Sequence, residues 1–221
     1  MVNLFLDIET LPTNRPEIIT ELRASVTPPA TYKKPESIAA WMRENIDAET
    51  DTAMRKTALS GAFGRVCVIG FAIDDSPVQT VSHSDDEAFV LHEFMHFLST
   101  IERHEWFTTT VVGHNVSAFD LRFLMHRCII NNVKPHVILS RAAAAKPWGI
   151  EVYDTMTSWD SQNRISLNKL CKALSIDTPK GDIDGSKVYD YVMAGKIDEV
   201  AEYCARDVQA TRAVYKRMTF A

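Results

Sequence analysis

No run of apolar residues in this 221-residue chain approaches the roughly 18 positions needed to cross a membrane, and its first residues carry no basic leader with a cleavage site, so a soluble, cytoplasmic protein is expected. The four cysteines, Cys67, Cys128, Cys171 and Cys204, include no C-x-x-C pair. That argues against a zinc knuckle or a disulfide scaffold and predicts reduced, mostly buried thiols. Basic residues are in deficit: 24 Lys and Arg against 29 Asp and Glu give a net charge of −5, which disfavours coating nucleic acid by bulk electrostatics. Acids, in turn, are missing from residues 121–150, where Arg122, Arg127, Lys134, Arg141 and Lys146 stand with His126 and His136. This window begins immediately after Asp120. It reads either as a surface that holds a polyanion or as an ordinary solvated basic helix and loop.

The chain is 46% hydrophobic, enough for a core of this size. Residues 2–7, 65–73, 78–83, 108–112 and 150–153 read as strands, the second and third joined as a hairpin by the turn at Asp74, Asp75, Ser76 and Pro77. Helices are expected from Ser84, capped with Glu87, to about His104, and from Ser117, capped with Asp120, to about Ile130. Further helical patterns cover 167–174, 186–193 and 197–218. The order predicts an α/β fold with a mixed five-stranded sheet flanked by helices. Residues 11–64 are too long for an ordinary loop. Prolines 12, 16, 28, 29 and 35 break the first half, and 36–59 read as one or two helices, so an inserted, partly helical segment at the rim of the site is expected within a single 1–221 domain. Steering substrate, holding a partner and padding the fold all fit it.

Three separated words carry the chemistry: Asp7-Ile-Glu9-Thr10, Asn115-x3-Phe119-Asp120 and Tyr203-x3-Asp207. Strand alternation puts the Asp7 and Glu9 carboxylates on one face. Two close like charges are costly unless a cation neutralises them. Tyr203 and Asp207 share a helix face one turn apart, and Asp207 lies beside an apolar stripe through Val200, Cys204, Val208, Thr211 and Tyr215, where an acid is normally excluded. Each acid alone has an ordinary explanation, such as helix capping for Asp120. Together they form a set of oxygen ligands suited to hard divalent cations.

These words resemble the DEDD superfamily of 3′–5′ exonucleases, of ribonuclease H-like fold. Tyr203 in the third motif points to the DEDDy branch related to the proofreading domain of family-B DNA polymerases. Weaker words also look familiar: Ala58-Leu59-Ser60, Gly64-Arg65-Val66, Lys146-Pro147-Trp148 and Gly181-Asp182-Ile183-Asp184-Gly185-Ser186. The resemblance implies two Mg²⁺ or Mn²⁺ ions, Asp7 bridging both, Glu9 and Asp207 completing the first and Asp120 holding the second. Ions about 3.5–4 Å apart activate a water and stabilise the leaving 3′-oxygen. Tyr203 would orient that water, and Thr10, Asn115 and Phe119 would contact the terminal nucleotide. The substrate implied is a single-stranded or frayed 3′ end, DNA ahead of RNA, released as nucleoside 5′-monophosphates, with a polymerase or repair machinery as partner. The alternatives are an RNA 3′–5′ exonuclease, since no side chain here is diagnostic for a 2′-hydroxyl contact, and a nucleic-acid-binding module without turnover.

A rival motif, His92-Glu93-x-x-His96, has the spacing of a zinc protease. Against the core-facing Val90, Leu91, Phe94, Phe97, Leu98 and Ile101, both histidines project into solvent. Asp182 and Asp184 read as turn and cap residues. Asp154, at the end of the fifth strand, fits either a supporting role at the site or none, and Trp148 and Trp159 are expected to be packed.

Overall fold

The computed structural model describes residues 2–146, 148–178 and 183–221. A five-stranded sheet, β1 (Asn3–Leu11), β2 (Arg65–Ile73), β3 (Gln79–Ser82), β4 (Thr110–Gly113) and β5 (Val152–Asp154), runs in the order β3-β2-β1-β4-β5. β1–β2 and β2–β3 are antiparallel, while β1–β4 and β4–β5 are parallel. The expected mixed sheet, the hairpin and the flanking helices are all present.

The two faces of β1 divide the core. Leu4, Leu6 and Ile8 pack with Val90, Leu91 and Phe94 of α3 (Glu87–Thr100) and with Leu121 and Leu124 of α4 (Asp120–Ile130). The alternate residues face α9 (Ile197–Thr219): Phe5 meets Val208 and Tyr215, and Leu11 meets Val200 and Cys204. Burying each large side chain contributes roughly 1.5–3 kcal/mol. Asp7 and Glu9 occupy the same α9-facing row between Phe5 and Leu11, so apolar packing on either side carries two carboxylates into the protein.

Several local expectations differ. The proline-rich first half of 11–64 holds a helix, α1 (Pro16–Ser25), followed by α2 (Pro35–Lys56) and a 3₁₀ turn at Thr57–Leu59. Pro16 and Pro35 each open a helix, the position where a missing N–H costs nothing. α3 starts at Glu87 because Asp86, rather than Ser84, accepts from the Phe89 N–H. Glu87 instead enters a buried ion pair, its oxygens taking Nε (2.9 Å) and Nη2 (2.7 Å) of Arg127 and the Val66 N–H (2.7 Å). α4 starts at Asp120, and no Ser117 cap forms. Short helices α5 (Val137–Ala143) and α6 (Thr155–Trp159) were not anticipated, whereas α7 (Leu167–Ala173) and α8 (Val188–Met193) fall close to their expected spans. Trp148 (79% exposed) and Trp159 (45%) lie in solvent, not packed. All four cysteines are free and buried. Among the described residues no helix is long and apolar enough to cross a membrane. Pro147, Gly181 and Asp182 lie outside the described residues.

Candidate metal centre

Asp7, Glu9 and Cys204 each offer a ligand atom within 4.8 Å of the others. The cluster exists because α9 lies close against the sheet. Gly70, opposite Asp7 on β2, leaves the space: a Cβ there would stand 2.8 Å from the Cys204 Sγ and 3.1 Å from Val208 Cγ2. The Cys204 thiol is 3.4 Å from Asp7 Oδ2 and 3.5 Å from the Asp7 carbonyl oxygen. Just beyond, the β1–β2 register shifts between Glu9 and Thr10, so Cys67 has no pairing partner and its thiol turns to the Glu9 carbonyl at 3.4 Å. A bulge of this kind re-aims side chains at a strand end.

Asp120 arrives from the other side. β4 pairs with β1 only as far as Phe5, and the unpaired Ile8 N–H donates to Asp120 Oδ1 at 3.1 Å. This fixes a third carboxylate to the backbone between Asp7 and Glu9. The fourth, Asp207, sits on α9 one turn from Tyr203, whose hydroxyl lies towards it.

The loop before Asp120 is held by a residue whose part the sequence left open. Asp154, buried at the end of β5, accepts from the N–H groups of Asn115 (2.9 Å), Ser117 (3.0 Å) and Met156 (3.1 Å). Asn115 is left-handed, with φ of 65°, and this clamp keeps it there. His114 is set by Thr155 Oγ1 and the Ile165 carbonyl, both at 2.9 Å. An acid closing a strand and capping the next helix was the available signal for Asp154. Gly70 and Cys204 gave none, because their role depends on which helix meets which strand.

The electrostatics are unfavourable without a cation. Burial raises the Asp7 carboxyl well above the ordinary range, and Glu9, Asp120 and Asp207 raise it further. Glu9 is raised by burial and then by Asp207 and Asp120. Burial lifts Asp120 to about 7 against the pull of its backbone hydrogen bonds. It also lifts Asp207 to about 6, although Tyr203 and Arg206 oppose it. No cation among the described residues offsets Asp7 or Glu9. Burial and the same acids push the Tyr203 hydroxyl and the Cys204 thiol up, so both stay protonated at neutral pH. Four converging carboxyl groups with protonated neighbours make a hard oxygen donor set, and the residues fit a divalent cation such as Mg²⁺ or Mn²⁺.

Of the expected nucleotide contacts, Thr10 donates its hydroxyl to the Ala58 carbonyl (2.8 Å), which ties the end of β1 to the segment before β2. Phe119 stands half-buried against Phe123, ring centroids 5.4 Å apart, and Asn115 is half-exposed. His92, Glu93 and His96 are exposed on α3, and among the described residues the one group placed to hold a metal is Asp7, Glu9 and Cys204.

No curated protein matches the chain significantly. Among solved structures it is similar to the family B DNA polymerase of the hyperthermophilic archaeon Pyrobaculum calidifontis, at 14% identity and a TM-score of 0.62. The match covers 99% of this chain and 24% of the polymerase, so the chain spans about a quarter of that protein, and the likeness is one of fold. The model of a family described as a predicted 3′–5′ exonuclease related to the exonuclease domain of PolB matches residues 57–221, and the chain belongs to that family.

Proposed function

We propose that this protein is a metal-dependent 3′–5′ exonuclease that removes nucleoside 5′-monophosphates from a single-stranded or frayed 3′ end, DNA by preference. The observation that carries the reading is the convergence of Asp7, Glu9, Asp120 and Asp207 from three separate segments, with Asp7 and Glu9 side by side on β1 and the Asp120 carboxylate held by the Ile8 N–H between them, and burial raises all four carboxyls. Family membership supports it. The preference for DNA leans on the likeness to a DNA polymerase, and the four carboxylates are the proposed ligands of two Mg²⁺ or Mn²⁺ ions. When bound, such ions supply water activation and charge neutralisation at phosphorus.

The protein's own groups have distinct tasks. Tyr203 keeps its proton beside the acids and would direct it at Asp207, which would leave its oxygen to accept a hydrogen bond from the attacking water. It positions that water and is not its base. Asp120 is held in place by the Ile8 N–H, while Asp154 holds the Asn115–Ser117 backbone that leads to it. Thr10, Asn115 and Phe119 would line the place of the terminal nucleotide, and residues 11–64 would form the rim on the Thr10 side.

A single-stranded oligomer labelled at its 5′ end, incubated with Mg²⁺ or Mn²⁺, should shorten one nucleotide at a time from the 3′ end. Asp7→Ala and Asp207→Ala should abolish this. Matched RNA and duplex substrates test the preference. An intact oligomer with wild-type protein in both metals would refute the reading and leave a binding module on the same fold.

A further inference from the structure

Beside the loop that carries Asp120 lies a groove of about 640 Å³, lined among others by Ser117, Arg122, Lys146, Asp154, Ser158 and Ser161. It opens where β4 and β5 end, at Gly113 and Asp154, next to the Asn115–Ser117 turn. Its one acid, Asp154, has both oxygens engaged by three backbone N–H groups. The two cations are in the opposite state. Arg122 and Lys146 are exposed, and neither makes an ion pair among the described residues.

This divides the basic window by function. Arg127 is buried with Glu87, and Arg141 is engaged by Glu151 and by the Trp106 carbonyl at 2.9 Å. Lys134 is exposed but does not line the groove. Of the charge left for a ligand, Arg122 and Lys146 therefore face the groove, together with the hydroxyls of Ser117, Ser158 and Ser161. Lys146 Nζ also stands 5.7 Å from the ring of Trp148, the most exposed of the large aromatic side chains in this region. A cationic channel with hydroxyl donors and an adjacent open indole is the composition that tracks a single-stranded backbone and stacks a base.

We infer that this groove binds the single strand on the 5′ side of the bond to be cut, with Arg122 and Lys146 each holding a backbone phosphate and Trp148 stacking on a base. The position relative to the scissile bond rests on the exonuclease reading, whereas strand binding in the groove can be measured without turnover.

The probe is a 5′-fluorescein oligothymidylate of about 20 nucleotides, followed by anisotropy in Ca²⁺ over a range of KCl. An Arg122→Ala/Lys146→Ala double variant should bind at least tenfold more weakly. Its salt slope should fall by about 1.4, two phosphates at roughly 0.7 each on a single strand. Trp148→Ala should weaken binding about tenfold at all salt concentrations, in line with the loss of one stacked base. Arg122→Lys/Lys146→Arg should stay near wild type, and Lys134→Ala should change affinity less than twofold. Wild-type affinity in the alanine double variant, an equal loss in Lys134→Ala, or no binding by the wild type would each overturn the groove. A wild type that binds with these dependences but degrades nothing in Mg²⁺ or Mn²⁺ would leave the groove standing and refute the exonuclease; the converse pair of results would do the reverse.

Discussion

Gly70 sets how closely α9 approaches the sheet, so Gly70→Ala should disturb the carboxylate cluster without touching a carboxylate. The added Cβ would meet the Cys204 Sγ at 2.8 Å, Val208 Cγ2 at 3.1 Å and the Cys204 carbonyl oxygen at 3.4 Å. Carbon contacts are comfortable from about 3.5 Å, so α9 would have to retreat by roughly 0.7 Å at this point. Overpacking of this kind costs about 1–3 kcal/mol. At about 2–4 °C per kcal/mol for a chain of this size, Tm should drop by roughly 2–12 °C. Tyr203 and Asp207 flank Cys204 on the same helix and would retreat with it from Asp7 and Glu9, which belong to β1. A misplacement near 1 Å can cost about 100-fold in rate, so a tenfold to hundredfold loss of 3′-end hydrolysis is expected, with weaker Mn²⁺ binding. Thermal melting, calorimetric Mn²⁺ titration and oligomer hydrolysis give the three readings. Cys204→Ala removes the closest atom, so in the Gly70→Ala background it should recover part of the Tm, a coupling a double-mutant cycle reveals. If Gly70→Ala keeps the wild-type Tm and turnover, close packing at Gly70 does not position α9.

Two further outcomes follow from the site. The carboxyls at about 6 in Asp207 and about 7 in Asp120 lie above their unfolded values near 3.9, so between these limits the folded state holds protons that the unfolded chain has released. Metal-free protein should therefore lose stability as pH rises from about 4 to 7, and added Mn²⁺ should raise Tm more at pH 7.5 than at pH 5; equal increments at both would contradict the cluster's electrostatics. Asp154→Asn replaces one acceptor oxygen with an amide that faces an N–H of Asn115 or Ser117. Partners of this kind behind metal ligands typically cost 10–100-fold in affinity or activity when removed, and that loss is expected in Mn²⁺ affinity and turnover, while Tm falls by no more than the equivalent of about 1–3 kcal/mol. An Asn variant with wild-type Mn²⁺ affinity would show that the clamp does not govern Asp120.

The parts of the fold and site that could be read from the sequence rest on short-range periodicity. The β2 run is legible from Arg65 to Ile73 to the residue, and the stripe Val200, Cys204, Val208 locates α9 with Asp207 beside it. Prolines mislead, because Pro16 and Pro35 look like breaks in the sequence although their missing N–H suits the first position of a helix. Capping boxes misled for a different reason. Glu87 and Asp120 stand at the spacing that would close back on Ser84 and Ser117, but each carboxylate is taken by a partner far along the chain, Arg127 and the Ile8 N–H respectively. A local pattern cannot register a stronger long-range competitor.

The basic window shows how far such competition extends, and why a count of charges did not decide its role. Arg122 and Arg127 lie on the same helix with the same formal charge, yet one is in solvent and the other buried. Helical period separates them. Leu121, Leu124 and Cys128 mark the face of α4 that packs into the core, and Arg127, three residues after Leu124, falls on that face. A cation there needs a buried acid, and Glu87 supplies one. Arg122 lies off that face, beside the turn that presents Asp120, so it is free to meet an anion from outside. Helix face, not the number of charges, separates the internal pair from the charge that faces the groove.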